Sequence, residues 1–177
     1  MQTTIWALDA AHSELTFKVR HLMISTVTGN FGSFKVEAET EGADFAKMLA
    51  VKVEADVSSI NTNNVDRDAH LRSADFFDTE KFALITFEGT SVDTDGYMGT
   101  LHGNLTIRDV TKAVALDIEI GGVATDGYGQ TKAGFTVTGK ISRKEFGLTW
   151  NALTSTGGAV VGDDVKINAE IQLIKQG

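Results

Sequence analysis

The sequence predicts an all-β fold with antiparallel strands, on three observations. Apolar residues alternate with polar ones in one segment after another, which is the period of a strand with one buried and one wetter face. The connections "DTDGY" and "ATDGYG" each contain an Asp-Gly pair, and this pair favours the tight turn of a β-hairpin. Helical patterns are few and short. Consecutive hairpins of this kind indicate an antiparallel meander.

About eight segments carry the strand pattern. In the first, "SELTFKVR", Leu15, Phe17 and Val19 alternate with polar residues. Eight antiparallel strands either close into a barrel, which leaves no exposed edge, or stack as a sandwich or jelly roll, and periodicity alone does not choose between these folds. The other segments, in chain order, are "GNFGSFKVEAE", "LAVKVEADV", "ALITFEGTSV", "LHGNLTIRD", "VALDIEI", "AGFTVTGKI" and "VKINAEIQL".

Three short helical insertions are predicted between the strands. The segment "GADFAKML" places Phe45 and Leu49 on one side of a helical turn or two, and "NNVDRDAHLRS" predicts a short helix that begins after Asn63 or Asn64. The segment "SRKEFG" has the spacing of a capping box, but Gly147 follows too soon for more than one turn.

The composition indicates a single globular domain that spans residues 1–177. The hydrophobic fraction of 42% and the charged fraction of 23% are ordinary for such a domain. The 24 acidic and 16 basic residues give a net charge of −8, and no Lys/Arg cluster interleaves with aromatic residues. This pattern argues against a nucleic-acid partner and against docking to an anionic membrane through a basic patch. A neutral or apolar ligand fits the composition better.

The cellular location is predicted from what the sequence lacks. The chain has no cysteine, which excludes disulfides, thiolate metal sites and cysteine nucleophiles. No apolar run approaches the ~18 residues of a membrane span, and the start "MQTTIWALDAAHSELTF" has no signal-peptide pattern. We therefore expect a cytoplasmic protein, or a periplasmic one if this sequence is a mature form.

Two groups of polar residues are candidates for a catalytic or metal-binding site. Asp66, Asp68 and His70 in "DRDAH" have no second cluster to complete a zinc site, so no metal and no other cofactor is predicted. Asp9, His12 and Ser13 lack a G-x-S-x-G elbow and are interpreted as a capped turn between the first two strands. The alternative function is a small hydrolase or isomerase that uses His70 with Asp68.

Two adjacent aromatic residues, Phe76 and Phe77, lie in the polar connection "SADFFDTEKFALITF". They either plug one end of a barrel as core residues or line the opening of an apolar cavity, where a ligand would cover them. A role for these two residues at the opening of a cavity requires a hollow barrel. An eight-stranded barrel has an interior just large enough to be packed solid or to hold one ligand.

Several stretches together resemble the YceI-like family of polyisoprenoid-binding proteins. The resemblance runs from Trp6 to about Lys175 in the family's order, and it implies a single lipocalin-like, eight-stranded antiparallel barrel that holds a long isoprenoid chain without catalytic machinery. The missing signal peptide matches the cytoplasmic members of the family. The stretches are "LDAAHSELTFKVRHLMISTVTGNFGSF", "DAHLRSADFFDTEKFALITF", "GNLTIRDVTKAVALDIEIGG" and "TGKISRKEFGLTWN".

The resemblance and the inward alternation together predict the ligand site. The function predicted is binding and sequestration or transport of a long-chain isoprenoid or similar amphiphilic lipid, and a homodimer is one assembly that the sequence leaves open. His12, Arg20 and Arg72 are candidates for contacts with the lipid head group. The residues predicted to line the tunnel are Leu15, Phe17, Val19, Phe31, Phe76, Phe77, Phe87, Leu105, Phe135 and Trp150.

Proline is absent from the chain, although an average usage of about 5% predicts roughly nine in this length. In the family pattern, proline is usual in "D-P-x-H-S", "S-P-D-F-F", "K-F/Y-P-x-I-T-F" and "V-T-K-P-V". The corresponding positions here are Ala10, Ala74, Ala83 and Ala113. Four matched losses favour deliberate removal, so we interpret the chain as an engineered, proline-free variant.

Overall fold

The computed structural model describes residues 2–151 and 160–177. Within these residues one helix, α1 (Val65–Arg72), and three 3-10 turns (Ala10–His12, Val57–Ser59 and Arg143–Phe146) interrupt a sheet of eleven strands. The strands are β1 (Thr3–Leu8), β2 (Glu14–His21), β3 (Ser25–Phe31), β4 (Phe34–Glu41), β5 (Asp44–Asp56), β6 (Ile60–Asn61), β7 (Leu84–Thr94), β8 (Met98–Ile107), β9 (Val110–Thr125), β10 (Thr131–Ser142) and β11 (Val161–Gln176).

The eleven strands occupy eight antiparallel positions around the barrel, because three of these positions each hold two consecutive strands. β1 and β2 both pair with β11, one after the other along its length. β4 pairs with β1, and β3 pairs with β2. β5 pairs with β4, and β6 pairs with β3. β7 to β11 continue the meander, and β11 closes the sheet on β1. The predicted eight-stranded antiparallel barrel is therefore confirmed.

The barrel has two different ends. The upper end carries the β2–β3 and β8–β9 turns, α1 with the segment that follows it, and residues 143–150. The lower end carries the turns that follow β4, β7 and β9. The Asp-Gly segments predicted to form hairpins are the last two of these lower turns, so both predictions are confirmed. No helix in the described ranges is long and apolar enough to cross a membrane.

Two of the three predicted helical insertions are confirmed. α1 begins after Asn64, whose side chain accepts a hydrogen bond from the Arg67 amide at 2.9 Å. This bond satisfies one of the amides that a helix start leaves free. Arg143–Phe146 forms a single 3-10 turn, and Gly147 ends it in the left-handed conformation with φ of 81°.

The predicted helix at residues 42–49 is wrong, because this segment lies largely within β5. Phe45, Met48 and Val51 all face the barrel interior at intervals of three residues. The ladder between β4 and β5 shifts register on both sides of Thr40. The extra residues of these bulges change the spacing of inward-facing side chains on β5 from two residues to three. The bulges thus imitate a helical period.

An aromatic cluster fills the lower end of the barrel. Trp6 is fully buried, and its indole Nε1 donates a hydrogen bond to Oγ1 of Thr40 at 2.9 Å. The Trp6 ring lies 4.8 Å from Phe45, which lies 4.5 Å from Phe135. Buried aromatic rings in such edge and tilted arrangements stabilise a core beyond the area that they bury.

Candidate functional site

An internal cavity of about 270 Å³ occupies the barrel above this aromatic cluster. Its walls come from β2 to β5, from β7 to β11 and from the segment after α1. Among the described lining residues, only Thr16, Thr86 and Arg143 are polar. A concave, nearly uniform apolar surface of this kind suits a hydrocarbon ligand and offers little to a polar one.

Nine of the ten residues predicted to line the tunnel do line this cavity. Alternation places the seven strand residues inward, since side chains two apart on a strand share a face, while Phe76 and Phe77 come from the segment after α1. Their contact with a ligand stays a prediction. The nine residues are Leu15, Phe17, Val19, Phe31, Phe76, Phe77, Phe87, Leu105 and Phe135.

The position of Phe17 depends on the glycine opposite it. Phe17 of β2 pairs with Gly29 of β3, and a Cβ atom at Gly29 would overlap the Phe17 ring. The absence of a side chain therefore lets the ring lie across the neighbouring strand. From there the Phe17 ring packs 5.6 Å from Phe31.

The segment after α1 brings the adjacent Phe76 and Phe77 to the upper end of the cavity. The amide of Phe77 donates to the carbonyl oxygen of Leu71 at 3.0 Å, and Asp78 takes a left-handed φ of 51° that turns the chain back. The Phe77 ring then meets Phe31 edge-on, with ring centroids 6.4 Å apart. Phe76 is 6% exposed, and both Phe76 and Phe77 line the cavity, so both rings pack inward from a polar segment.

Phe76 also belongs to a cluster with His70 and Trp150. The His70 ring lies 5.1 Å from Phe76 and 4.6 Å from Trp150, and the Phe76 and Trp150 rings are 5.3 Å apart. His70 Nε2 lies 2.9 Å from an oxygen of Asp75. These contacts tie α1 and the segment after it to residues 148–150.

Trp150 differs from its predicted position, because it is not among the described residues that line the cavity. The prediction placed Trp150 inward because it lies two residues after Leu148, as on a strand, but residues 148–150 are not part of a strand. β10 ends at Ser142, and the 3-10 turn that follows redirects the chain. Leu148 lines the cavity instead, and Trp150 packs on the cluster around His70.

The three candidates for head-group contacts all lie outside the cavity lining. Arg20 is exposed on the outer face of β2, since its neighbour Val19 points inward. His12 lies in the first 3-10 turn, where its Nδ1 is 2.8 Å from an oxygen of Asp9. Arg72 donates to the carbonyl oxygens of Ser58 and Ile60 at 3.1 and 3.3 Å, which joins α1 to the turn before β6.

Among the described residues, the charged one that does line the cavity is Arg143, which the sequence analysis missed. It is 3% exposed, and its guanidinium donates to main-chain carbonyl oxygens on two segments. Burial lowers the pKa of Arg143, while Asp163 acts in the opposite direction, and an arginine keeps its charge under such a shift. The acceptors are Gly162 (2.8 Å), Leu148 (2.6 Å), Trp150 (2.9 Å) and Val161 (3.3 Å).

The two residues of the alternative catalytic hypothesis do not form a pair. Oδ1 of Asp68 accepts hydrogen bonds from the amide and the hydroxyl of Thr62. His70 bonds Asp75 instead, and neither Asp68 nor His70 is among the described residues that line the cavity. Within the described ranges, no group of three or more His, Asp or Glu side chains is placed to hold a metal ion.

The turn predicted at Asp9, His12 and Ser13 is present, and Ser13 caps it, but the side chain of Asp9 makes no capping hydrogen bond. The hydroxyl of Ser13 donates to the main-chain carbonyl of Asp9 at 2.8 Å and accepts from the Gln172 amide at 3.0 Å. The carboxylate of Asp9 accepts from Lys132 Nζ at 2.7 Å. The hydrogen bonds from Lys132 and then His12 lower the pKa of Asp9. These bonds join the turn to β10 and β11.

The family model for a YceI-like domain matches residues 6–173 of the chain. Among curated proteins, a UPF0312 protein of Staphylococcus aureus is 40% identical over 170 residues, which cover 96% of each chain. The crystal structure of a YCEI protein from Campylobacter jejuni is 35% identical, with a TM-score of 0.77 over 96% of this chain and 97% of that one.

Two more distant structures share the fold. BcnA of Burkholderia cenocepacia is 21% identical, with a TM-score of 0.78 over 93% of this chain and 98% of that one. A polyisoprenoid binding domain from Saccharophagus degradans is 14% identical, with a TM-score of 0.71 over 97% of this chain and 98% of that one. At these identities the likeness concerns the architecture of the barrel.

Proposed function

Because the chain belongs to the YceI-like family, we propose that its barrel binds one long-chain isoprenoid, or a similar amphiphilic lipid, and sequesters or carries it. The observation that carries this proposal is the apolar cavity, whose described lining has only three polar residues. The name of the Saccharophagus degradans domain, which describes polyisoprenoid binding by the same fold, supports it as well.

The energetics of hydrocarbon burial agree with a cavity that lacks a charged anchor. Burial of each methylene group contributes about 0.8 kcal/mol, so a few isoprene units inside the barrel give strong binding before any head-group contact. Arg143 does not supply such a contact, because its guanidinium is already bonded to main-chain carbonyls. The tail of the lipid, rather than its head group, therefore determines the affinity.

Organic extraction of the purified protein, followed by mass spectrometry, tests the proposal. We expect a prenyl lipid in a stoichiometric amount, and a protein stripped of lipid should take up an added isoprenoid with the same stoichiometry. A preparation that neither yields a lipid nor takes one up would contradict the proposal. His70→Ala serves as the matched variant, because a carrier keeps its lipid after this change whereas an enzyme that uses His70 loses turnover.

A further inference from the structure

The turn between β2 and β3 presents three large apolar side chains to solvent. Leu22, Met23 and Ile24 are 38%, 58% and 78% exposed. Leu22 and Met23 also have positive φ angles of 53° and 59°, a conformation that hairpin turns usually fill with Gly, Asn or Asp and that is unfavourable for a bulky residue. Folding stability alone would favour different residues here. We call Leu22–Ile24 the apolar tip.

Hydrogen bonds hold the apolar tip in a defined shape. The amide of Leu22 donates to the carbonyl oxygen of Val160, just before β11, at 2.8 Å. The guanidinium of Arg20 donates to the carbonyl oxygen of Met23 at 3.0 Å. The tip is therefore anchored to the neighbouring strand and to its own strand, and its side chains project from a fixed backbone.

A row of lysines crosses the outer wall of the barrel below the tip. Lys18 of β2 lies opposite Lys166 of β11, which lies opposite Lys140 of β10, and all three are exposed. Like charges directly opposite each other destabilise a sheet. Of the three, only Lys140 has a carboxylate within 4.0 Å among the described residues, namely Asp164 at 3.7 Å. We call these three residues the lysine row.

Further basic residues extend the lysine row into a positive area. Arg20 follows on the outer face of β2, and Lys144 follows β10. The nearby carboxylates are Asp163 and Asp164, which contact Lys144 and Lys140, Asp117 opposite Thr138 of β10, and Glu145 beside Lys144. The screening length at physiological salt is about 8 Å. Lys18 and Lys166, which have no carboxylate partner among the described residues, therefore present positive charge at close range despite the net charge of −8.

We propose that the apolar tip and the lysine row form a docking surface for a lipid bilayer that contains anionic lipid. Apolar side chains gain by burial at the boundary between head groups and acyl chains, and lysines beside them are attracted to anionic head groups. A bilayer satisfies both parts of the surface, whereas an acidic protein satisfies only the lysine row. The proposal goes beyond lipid binding inside the cavity, because docking requires only the outer wall.

Flotation of the purified full chain with vesicles, in the absence of added isoprenoid, tests this proposal. We expect binding to vesicles of phosphatidylcholine mixed with phosphatidylglycerol, weaker binding to phosphatidylcholine alone, and a loss of binding as NaCl is raised. Leu22→Asn with Met23→Gly suits the left-handed backbone and should weaken binding about tenfold. Lys18→Gln with Lys166→Gln should weaken it about 25-fold, from a factor of roughly five per lysine.

Matched variants at the lower end control for general effects of charge and apolar surface. Tyr128, which is 94% exposed, is replaced in Tyr128→Asn, and two exposed lysines are replaced in Lys47→Gln with Lys175→Gln. Both controls should bind as the wild type does, and circular dichroism should show a folded barrel in every variant.

Three outcomes would overturn docking to a bilayer. Equal binding to both kinds of vesicle at low salt would remove the role of the lysine row. Unchanged binding after the tip substitutions would leave a purely electrostatic surface, which fits an acidic protein better. A change of oligomeric state in the tip variants, seen by light scattering without vesicle binding by the wild type, would make a second copy the occupant. None of these outcomes affects the proposal for the cavity, since no isoprenoid is present.

Discussion

Phe77 meets Phe31 edge-on, with ring centroids 6.4 Å apart, so the segment after α1 contacts the barrel wall through a side chain that also lines the cavity. Phe76, its neighbour, lines the cavity as well but packs on His70 and Trp150. The two adjacent rings therefore have different surroundings. Phe77 joins the segment to β3, and Phe76 joins it to residues 148–150.

Phe77→Ala should release a bound isoprenoid about tenfold faster while the barrel stays folded, since it removes roughly 1.4 kcal/mol of contact with the ligand chain. The measurement is the off-rate of a fluorescent isoprenoid from the purified protein. Phe82→Ala is the matched control, because Phe82 lies in the same segment and packs 5.6 Å from the Arg108 guanidinium rather than along the cavity. Equal off-rates in the two variants would contradict a role for Phe77 in ligand retention.

Arg143→Leu should lower the free energy of unfolding by roughly 3 to 5 kcal/mol, because it removes charge-assisted hydrogen bonds to several buried carbonyl groups. Urea unfolding followed by circular dichroism measures this loss. Lys144→Leu, next in the chain and exposed, is the control and should change stability by less than about 0.5 kcal/mol. A loss below 1 kcal/mol for Arg143→Leu would show that its bonds do not hold residues 148–150 against the start of β11.

The bond between Asp9 and Lys132 predicts a pH dependence of stability. Since the folded state lowers the pKa of Asp9, its contribution is fully present above the unfolded pKa of about 3.9 and is lost as the pH falls through the lower, folded value. The difference in unfolding free energy between the wild type and Asp9→Asn should therefore be constant near neutral pH and shrink below about pH 4. A difference that grows under acid conditions would contradict the assignment.

Ala10→Pro should stabilise the protein by about 0.4 to 1 kcal/mol by restricting the unfolded chain. Ala10 is the first residue of a 3-10 turn, where proline is tolerated, and the preceding Asp9 is extended with φ of −92° and ψ of 93°. Thermal unfolding measures the change. Restoring proline at Ala74, Ala83 and Ala113 in turn tests the wider hypothesis, because destabilisation at all four positions would contradict deliberate removal of proline from a compatible backbone.

The sequence predicted the barrel well because its signals are local. Alternation of apolar and polar residues determines which side chains face inward, and it placed Phe17 and Phe135 correctly on the cavity wall. Where the backbone departs from regular alternation, the prediction failed. The helix predicted at residues 42–49 depends on Phe45 and Leu49 sharing one side, but with bulges in the ladder between β4 and β5 Phe45 is buried and Leu49 is exposed. The placement of Trp150 depends on strand alternation from Leu148, and residues 148–150 form no strand.

Features that depend on contacts between distant segments could not be predicted from the sequence. Arg143 is held by main-chain carbonyls, which every residue carries, so no residue type marked its partners. The lysine row forms because Lys18, Lys140 and Lys166 occupy the same level of three adjacent strands. Their spacing along the chain gives no sign of a cluster, so the sequence analysis found no basic patch.

Uptake of a labelled isoprenoid by Phe135→Asp tests the central claim, that the barrel interior is the binding site. A carboxylate on this wall must either stay hydrated or take up a proton, and both disfavour a hydrocarbon neighbour. Thr28→Asp, on the outer face opposite Lys18, is the charge-matched control. Val165→Phe, which fills the cavity without a charge, supplies a second test should Phe135→Asp fail to fold.

The decisive measurement is therefore the amount of labelled isoprenoid bound per folded barrel, with circular dichroism as the test of folding. The account predicts stoichiometric binding by the wild type and by Thr28→Asp, and a loss of at least tenfold in affinity for Phe135→Asp and Val165→Phe. Unchanged binding by the folded interior variants would contradict it and would place the lipid outside the barrel.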